Sequence, residues 1–424
     1  MKTDFGILTM LFLMLCSCKR NFEAPVPDTT WALFQSPSAV PLQAFTRQKM
    51  EGVYSLSDHE NAFGAAAAAR WSYTANGPDT VYHLSLFCEK QVSYFILEGR
   101  RLDTAILLNG YWRKMQTTET GKARFIITQT NGAGHLLSSA PAAAADSIIM
   151  EGSYGLGESF PAKPLRLQYL RPLYRTTPLE IVAHRGGGST ADLLPASENS
   201  VEIIRLAAPF GATGIEVDVR LTSDGVPILY HDATLNERLI QKNGLLGPIE
   251  NYSYAQLNSL VRLKNSEKIP TLRQALETVL YQTPLRFVWM DTKFSGSMHV
   301  LRSLQLEYQQ KAAALGRQLE ITIGIPDETV LTNFLALPDH QNIPSVCELS
   351  VADVARANSP IWAPRWTLGL QNPEVEKIHA EGKRAFVWTL DIPPNVYQFM
   401  HEGRFDGILS NYPSIVAYYY YVRQ

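Results

Sequence analysis

Between residues 179 and 424 the chain alternates short apolar strands with amphipathic stretches, and this alternation limits the fold more than any other feature. The strands read EIVAHRG (180–186), GIEVDVRL (214–221), VPILYHD (226–232), LRFVWMDTK (285–293), LEITIGI (319–325), PSVCELS (344–350), AFVWTL (385–390) and DGILSN (406–411). Between several of them lie helical pieces such as ENSVEIIRLAA (198–208), TLRQALETVL (271–280) and NPEVEKIHAEG (372–382). Continuously apolar strands are buried on both faces, the condition of a parallel sheet covered by helices. Eight such strands in a segment of this size predict a (β/α)8 TIM barrel over residues 178–424. A doubly wound open sheet is the alternative, but no glycine-rich dinucleotide loop follows the first strand.

The preceding segment, residues 51–175, has another rhythm. Runs rich in Val, Ile, Tyr, Phe and Thr, such as TVYHLSLF (80–87), VSYFILEG (92–99), TAILLNGYW (104–112) and ARFIITQ (123–129), are separated by Gly-containing turns. They predict a smaller all-β domain, a sandwich or a barrel. No chemistry gathers there, since His59, His83 and His135 are isolated and lack ligand spacing. A formal charge of −2 argues against a nucleic-acid binder, which is usually strongly basic.

At the amino end, Lys2 is followed by an apolar run from Phe5 to Leu15 and then Cys16-Ser17-Cys18. The run is too short to span a bilayer, which takes roughly 20 helical residues, and has the layout of a secretion signal. Leu15-Cys16-Ser17-Cys18 resembles the bacterial lipobox. That resemblance implies a signal over residues 1–17 and lipidation of Cys18; residues 18–50, rich in Pro, Ser and Thr and without a sustained period, read as a tether. The expected place is the bacterial cell envelope, periplasm-facing or exposed on the outer membrane, held to the membrane by lipid alone. The remaining thiols, Cys88 and Cys347, fall in different predicted domains and read as buried free cysteines.

In a parallel barrel, residues just after each strand face the catalytic mouth. Those positions hold His184 and Arg185 after the first strand, Glu216 and Asp218 on the second, and His231 and Asp232 after the third. Asp291 and Lys293 end the fourth, Trp388 lies near the end of the seventh, and Asn411 follows the eighth. Spacing by two puts Glu216 and Asp218 on one strand face, and likewise Asp291 and Lys293. Three carboxylates held together repel unless a cation sits among them, and their oxygens suit Ca²⁺ or Mg²⁺. Arg185 and Lys293 can then bind an anion, and two histidines can supply a base and an acid. Together these describe cleavage of a phosphate ester. Glu198 reads either as a first-turn helix residue or as part of the site; Asp232, a possible pocket residue, and Arg238 read either as supports behind the site's own residues or as loop-fixing residues, and Trp388 as core or pocket wall. Tyr418 to Tyr421 are expected to pack the last helix.

The runs VAHRGG, SENS, IEVDVRLTSDGVPILYHDATLNER, IPTLRQAL, VWTLD and FDGILSNYP, in this order, resemble the glycerophosphodiester phosphodiesterase family over residues 180–413. The resemblance implies metal-dependent hydrolysis of a glycerophosphodiester to glycerol 3-phosphate and an alcohol. It assigns His184 and His231 as catalytic imidazoles, Glu216, Asp218 and Asp291 as metal ligands, and Arg185 and Lys293 as phosphate binders. Three positions depart from the family pattern: Asp291 where Glu is usual, a longer loop through Pro195-Ala196-Ser197, and Asn411 where Asp is usual. A lysophospholipase D-like or phosphoinositide-cleaving enzyme is the alternative within this chemistry; a non-catalytic surface lipoprotein binding phosphate or glycan is the alternative outside it.

Overall fold

The computed structural model describes residues 26–57, 60–139 and 148–424. The predicted signal, Cys18 and His59 lie outside the described residues. Among the described residues, no helix is long and apolar enough to cross a membrane.

The first domain is a closed barrel of eight antiparallel strands: β1 (Gly52–Ser57), β2 (Ala66–Asn76), β3 (Asp79–Cys88), β4 (Ser93–Leu102), β5 (Ala105–Lys114), β6 (Thr120–Ile127), β7 (Ile149–Tyr154) and β8 (Lys163–Arg171). Each pairs with the next, and β8 returns to β1. Two-residue turns suffice between β2 and β3 (Gly77-Pro78) and between β4 and β5 (Asp103-Thr104). Alternation divides β4 cleanly. Phe95 and Leu97 enter the barrel interior, whereas Tyr94 and Ile96 face the second domain. The interior is filled by aromatic rings, with Phe63 at 4.7 Å from Phe95 and 5.3 Å from Trp112 between ring centroids. The Trp112 indole donates to the carbonyl of Gly155 at 2.8 Å, so its polar edge is satisfied.

Part of the stretch read as tether is built onto this barrel. Val40–Pro41 pairs with Arg100 and Arg101 of β4, and the helix Ala44–Met50 buries Thr46 and Met50. Leu42 and Met50 join the interior cluster, a pattern of apolar spacing too sparse to stand out among prolines.

The second domain is a closed parallel barrel of β9 (Glu180–Ala183), β10 (Gly214–Leu221), β11 (Phe287–Thr292), β12 (Glu320–Ile325), β13 (Ser345–Cys347), β14 (Ile361–Trp362), β15 (Arg384–Val387) and β16 (Gly407–Ser410). The eight strands are not the eight expected. The run 226–232 is not a barrel strand: Pro227–Leu229 folds back antiparallel on β10, with Val219 opposite Leu229. Only five residues separate it from β10, too few for the crossover a parallel neighbour requires. The missing member is β14, two residues long and therefore without a readable pattern.

The helices follow their sequence signals. Ser200 caps α1 (Val201–Ala207) by accepting from the amide of Ile203. Thr271 and Gln274 form a capping box on α2 (Leu272–Gln282). The outer helices continue with α3 (His299–Ala314), α4 (Glu328–Leu335), α5 (Val351–Ala357), α6 (Asn372–Ala380), α7 (Pro393–His401) and α8 (Pro413–Tyr421). Helix α8 is buried on every side because it lies between the barrels, and Tyr418 to Tyr421 pack as expected. One apolar cluster runs from Phe87, Tyr94 and Ile96 of the first barrel into α1, α8 and the shell of the second. The Tyr94 and Phe210 rings meet across that boundary at 5.3 Å. Cys88 and Cys347 are buried free thiols, and burial raises both thiol pKa values.

Candidate active site

The carboxyl end of β9 leads straight into a tight turn, His184–Gly186. Arg185 there takes a left-handed φ of 52° and Gly186 a φ of 83°. This reversal aims the Arg185 amide at Glu216 Oε2 (2.8 Å) and its guanidinium at Glu198 Oε1 (2.8 Å). Glu198 is held further by the amide of Thr190 and by Arg238. Asn199 donates to Asp218 Oδ2 at 2.7 Å and accepts from the Asp218 amide.

Glu216 and Asp218 project from β10, and Asp291 from the paired position on β11, where Asp218 stands opposite Asp291 in register. They are 2 %, 1 % and 8 % exposed, and one oxygen of each lies within 4.8 Å of the others. Glu216 Oε1, Asp218 Oδ1 and Asp291 Oδ1 are buried without a hydrogen-bond partner. Three carboxylates this close, each with a buried oxygen that accepts no hydrogen bond, fit a hard divalent cation, and these residues would hold it. Burial, then Asp218 and Asp291, push the Glu216 carboxyl well above its usual pKa. Lys293 Nζ rests 2.5 Å from Asp291 Oδ2 and 3.4 Å from Asp218 Oδ1. Burial opposes the Lys293 charge, but Asp291 and Asp218 outweigh it and raise its pKa.

The two imidazoles close on the same space. His184 Nε2 is 3.8 Å from Glu216 Oε2, and His184 and Asp218 each feel the charge of His231. His184 Nδ1 meets Asn411 Oδ1 at 2.9 Å, and Asn411 Nδ2 donates to Asp391 Oδ2 at 2.7 Å. That second bond fixes the amide, so Asn411 Oδ1 accepts, His184 Nδ1 carries the hydrogen and Nε2 keeps its lone pair. Burial first and Arg185 second push His184 down to about 3, so it is neutral at neutral pH. His231 Nδ1 meets Asp232 Oδ1 at 2.7 Å, and Arg238 grips Asp232 with Nε and Nη2 while Nη1 reaches Glu198. Asp232 and Arg238 thus join the His231 ring to Glu198.

Four further residues escaped the sequence reading. Asp391 ends the VWTLD run and anchors Asn411 through its amide and side chain. Asn199 stands next to Glu198 in the SENS run and orients Asp218. Arg220, at the end of β10, donates Nε and Nη2 to the carbonyl of His231 and Nη1 to that of Lys293. Glu348 follows β13; burial and Asp291 raise its pKa, and Lys293 and Arg365 oppose the rise. Trp388 lies at the end of β15 with its indole bonded to the Ala363 carbonyl, and the Arg365 guanidinium stacks over it at 5.2 Å.

The chain is similar in part to several known proteins. Human glycerophosphodiester phosphodiesterase 1 is 36% identical over 149 residues, 34% of this chain and 42% of the human protein. Human glycerophosphocholine phosphodiesterase is 32% identical over 164 residues, 37% of this chain and 23% of that protein. The chain thus spans less than half the length of these relatives. Among solved structures, a glycerophosphodiester phosphodiesterase from Parabacteroides distasonis has 21% identity, covers 57% of this chain and 96% of its own, and gives a TM-score of 0.45. Residues 184–415, which include both imidazoles, all three carboxylates and Asn411, match the model of the glycerophosphoryl diester phosphodiesterase family, and the chain belongs to that family.

Proposed function

We propose that the protein hydrolyses glycerophosphodiesters to glycerol 3-phosphate and an alcohol, with Ca²⁺ or Mg²⁺ held by Glu216, Asp218 and Asp291. The observation that carries this reading is the convergence of two imidazoles on three buried carboxylates, each with an orphaned oxygen. Three carboxylates gathered this closely repel one another, and a divalent ion held among them would offset their charge, which favours a phosphodiester anion.

When bound, the ion supplies positive charge to the phosphoryl oxygens. Arg185, fixed by Glu198, and Lys293 bind the phosphate. His184, neutral with Nε2 unprotonated, takes the proton of the attacking oxygen, a substrate hydroxyl or water. As that oxygen bonds to phosphorus, the bond to the departing alkoxide breaks, and His231 Nε2 gives it a proton while Asp232 steadies Nδ1; where the substrate hydroxyl attacks, water then opens the resulting cyclic phosphate to glycerol 3-phosphate. Asn411 and Asp391 keep His184 in the tautomer this requires.

The test is to incubate the purified protein with glycerophosphocholine plus Ca²⁺ or Mg²⁺, with and without chelator. Turnover that chelator stops and His184→Ala removes supports the reading. No turnover on any diester, with His184→Ala indistinguishable from wild type, overturns it. Exposed Leu368 and Ile392, in the connections after β14 and β15, favour a second reading with a lipid-bearing alcohol. Faster turnover of lysophosphatidylcholine than of glycerophosphocholine would select it. Lipidation of Cys18 would anchor the enzyme to a membrane of the cell envelope; labelled fatty acid incorporated by wild type and not by Cys18→Ser tests this.

A further inference from the structure

The segment from Gly187 to Asn199, which follows the Arg185 turn, is held from outside its own barrel. Arg113 projects from β5 of the first barrel and is wholly buried. Its Nη2 donates to the carbonyl of Leu193 at 2.5 Å and reaches that of Asp192 at 3.3 Å. Leu193 has a left-handed φ of 50°, a conformation a leucine adopts only when its surroundings impose it. From within the second barrel, the Tyr412 hydroxyl donates to Asp192 Oδ1 at 2.9 Å. Further on, the segment is stapled to itself: Thr190 N donates to Glu198 Oε2, and Glu198 N donates to Thr190 Oγ1. The second member of the staple and the residue after it aim the site, Glu198 on Arg185 and Asn199 on Asp218.

We infer that Arg113 is a positioning residue of the active site. Its guanidinium crosses the boundary between the barrels, fixes the 187–199 segment and, through Glu198 and Asn199, sets the Arg185 guanidinium and the Asp218 carboxylate. The first barrel is on this account part of the catalytic scaffold. A guanidinium suits the task because Nη2 carries two hydrogens and can reach two adjacent carbonyls, and its charge persists when buried. The kinetic arm of the test rests on the diesterase reading; the exchange arm does not.

The full chain is compared with Arg113→Gln and Arg113→Lys in two measurements. The first is kcat and KM on glycerophosphocholine, well below each variant's Tm. The second is amide hydrogen exchange without substrate. Arg113→Gln is expected to lower kcat/KM on the order of tenfold to a hundredfold, as small misplacements of binding groups do. The loss falls on KM as well as kcat, and Arg113→Lys recovers part of it. Amides of 187–199 exchange faster, while those of β11 and β12 hold. A lower Tm with unchanged kcat/KM and unchanged exchange over 187–199 overturns the inference. Should Arg113→Gln not fold, Arg113→Lys decides by the same two measurements. If wild type turns over no diester, the diesterase reading fails alone, and exchange over 187–199 still upholds or overturns the brace.

Discussion

Both barrels close eight strands, yet among the described residues only the second carries a candidate active site. In the first, antiparallel neighbours need connections as short as two residues, and strand ends are shared between two rims. Its interior is packed with Phe, Tyr, Trp and aliphatic side chains. In the second, every strand runs the same way, so eight carboxyl ends meet at one rim with room for long loops. The lesson is that chain direction, more than strand number, decides where polar groups can gather.

The difference can be broken or sharpened experimentally. The largest effect is expected at the parallel rim. His184→Ala or His231→Ala should lower diester turnover by about 10²–10⁴-fold, read as glycerol 3-phosphate release, with circular dichroism unchanged. Asn199→Ala frees the carboxylate it orients, and the affinity for Ca²⁺ or Mg²⁺ by calorimetry should fall by about 10–100-fold. Inside the antiparallel barrel the expectation reverses. Phe125→Ala should cost about 3–5 kcal/mol of stability in denaturant melts, yet leave turnover per folded molecule unchanged.

The smallest effect belongs to Asp192, whose carboxyl burial raises to about 6. Between its unfolded pKa and about 6 the folded chain binds the extra proton, so this group's contribution to stability declines as pH rises through that window. Asp192→Asn removes the decline. Its Tm relative to wild type should be higher at pH 7 than at pH 4.

Much of this was legible in sequence where a pattern repeats. Seven barrel strands, the α2 cap and the spacing of Glu216, Asp218, Asp291 and Lys293 carry periodic or positional signals. The run 226–232 misled because apolar content does not encode direction, although Asp224-Gly225 is a hairpin signal and the connection is short. Arg220 was invisible because an arginine at a strand end resembles a solvated one until its carbonyl partners, on His231 and Lys293, are brought near. Asn411 looked like a lost charge. In the fold it accepts from one imidazole and passes the load to Asp391, a partnership between residues twenty apart that no local pattern announces. Arg113 was beyond reach because Asp192 and Leu193, whose carbonyls it bonds, lie in another domain.

His231 arrives on a returning segment, and so its aim depends on counting. Tyr230 N bonds to the Asp218 carbonyl, which locks that return to β10. Inserting or deleting a single residue between Leu221 and Pro227 would shift the return by one place and exchange its two faces. Tyr230 would then point where the imidazole now points. The number of residues in that bend is thereby under the same constraint as the histidine it delivers, even though none of them touches the reaction.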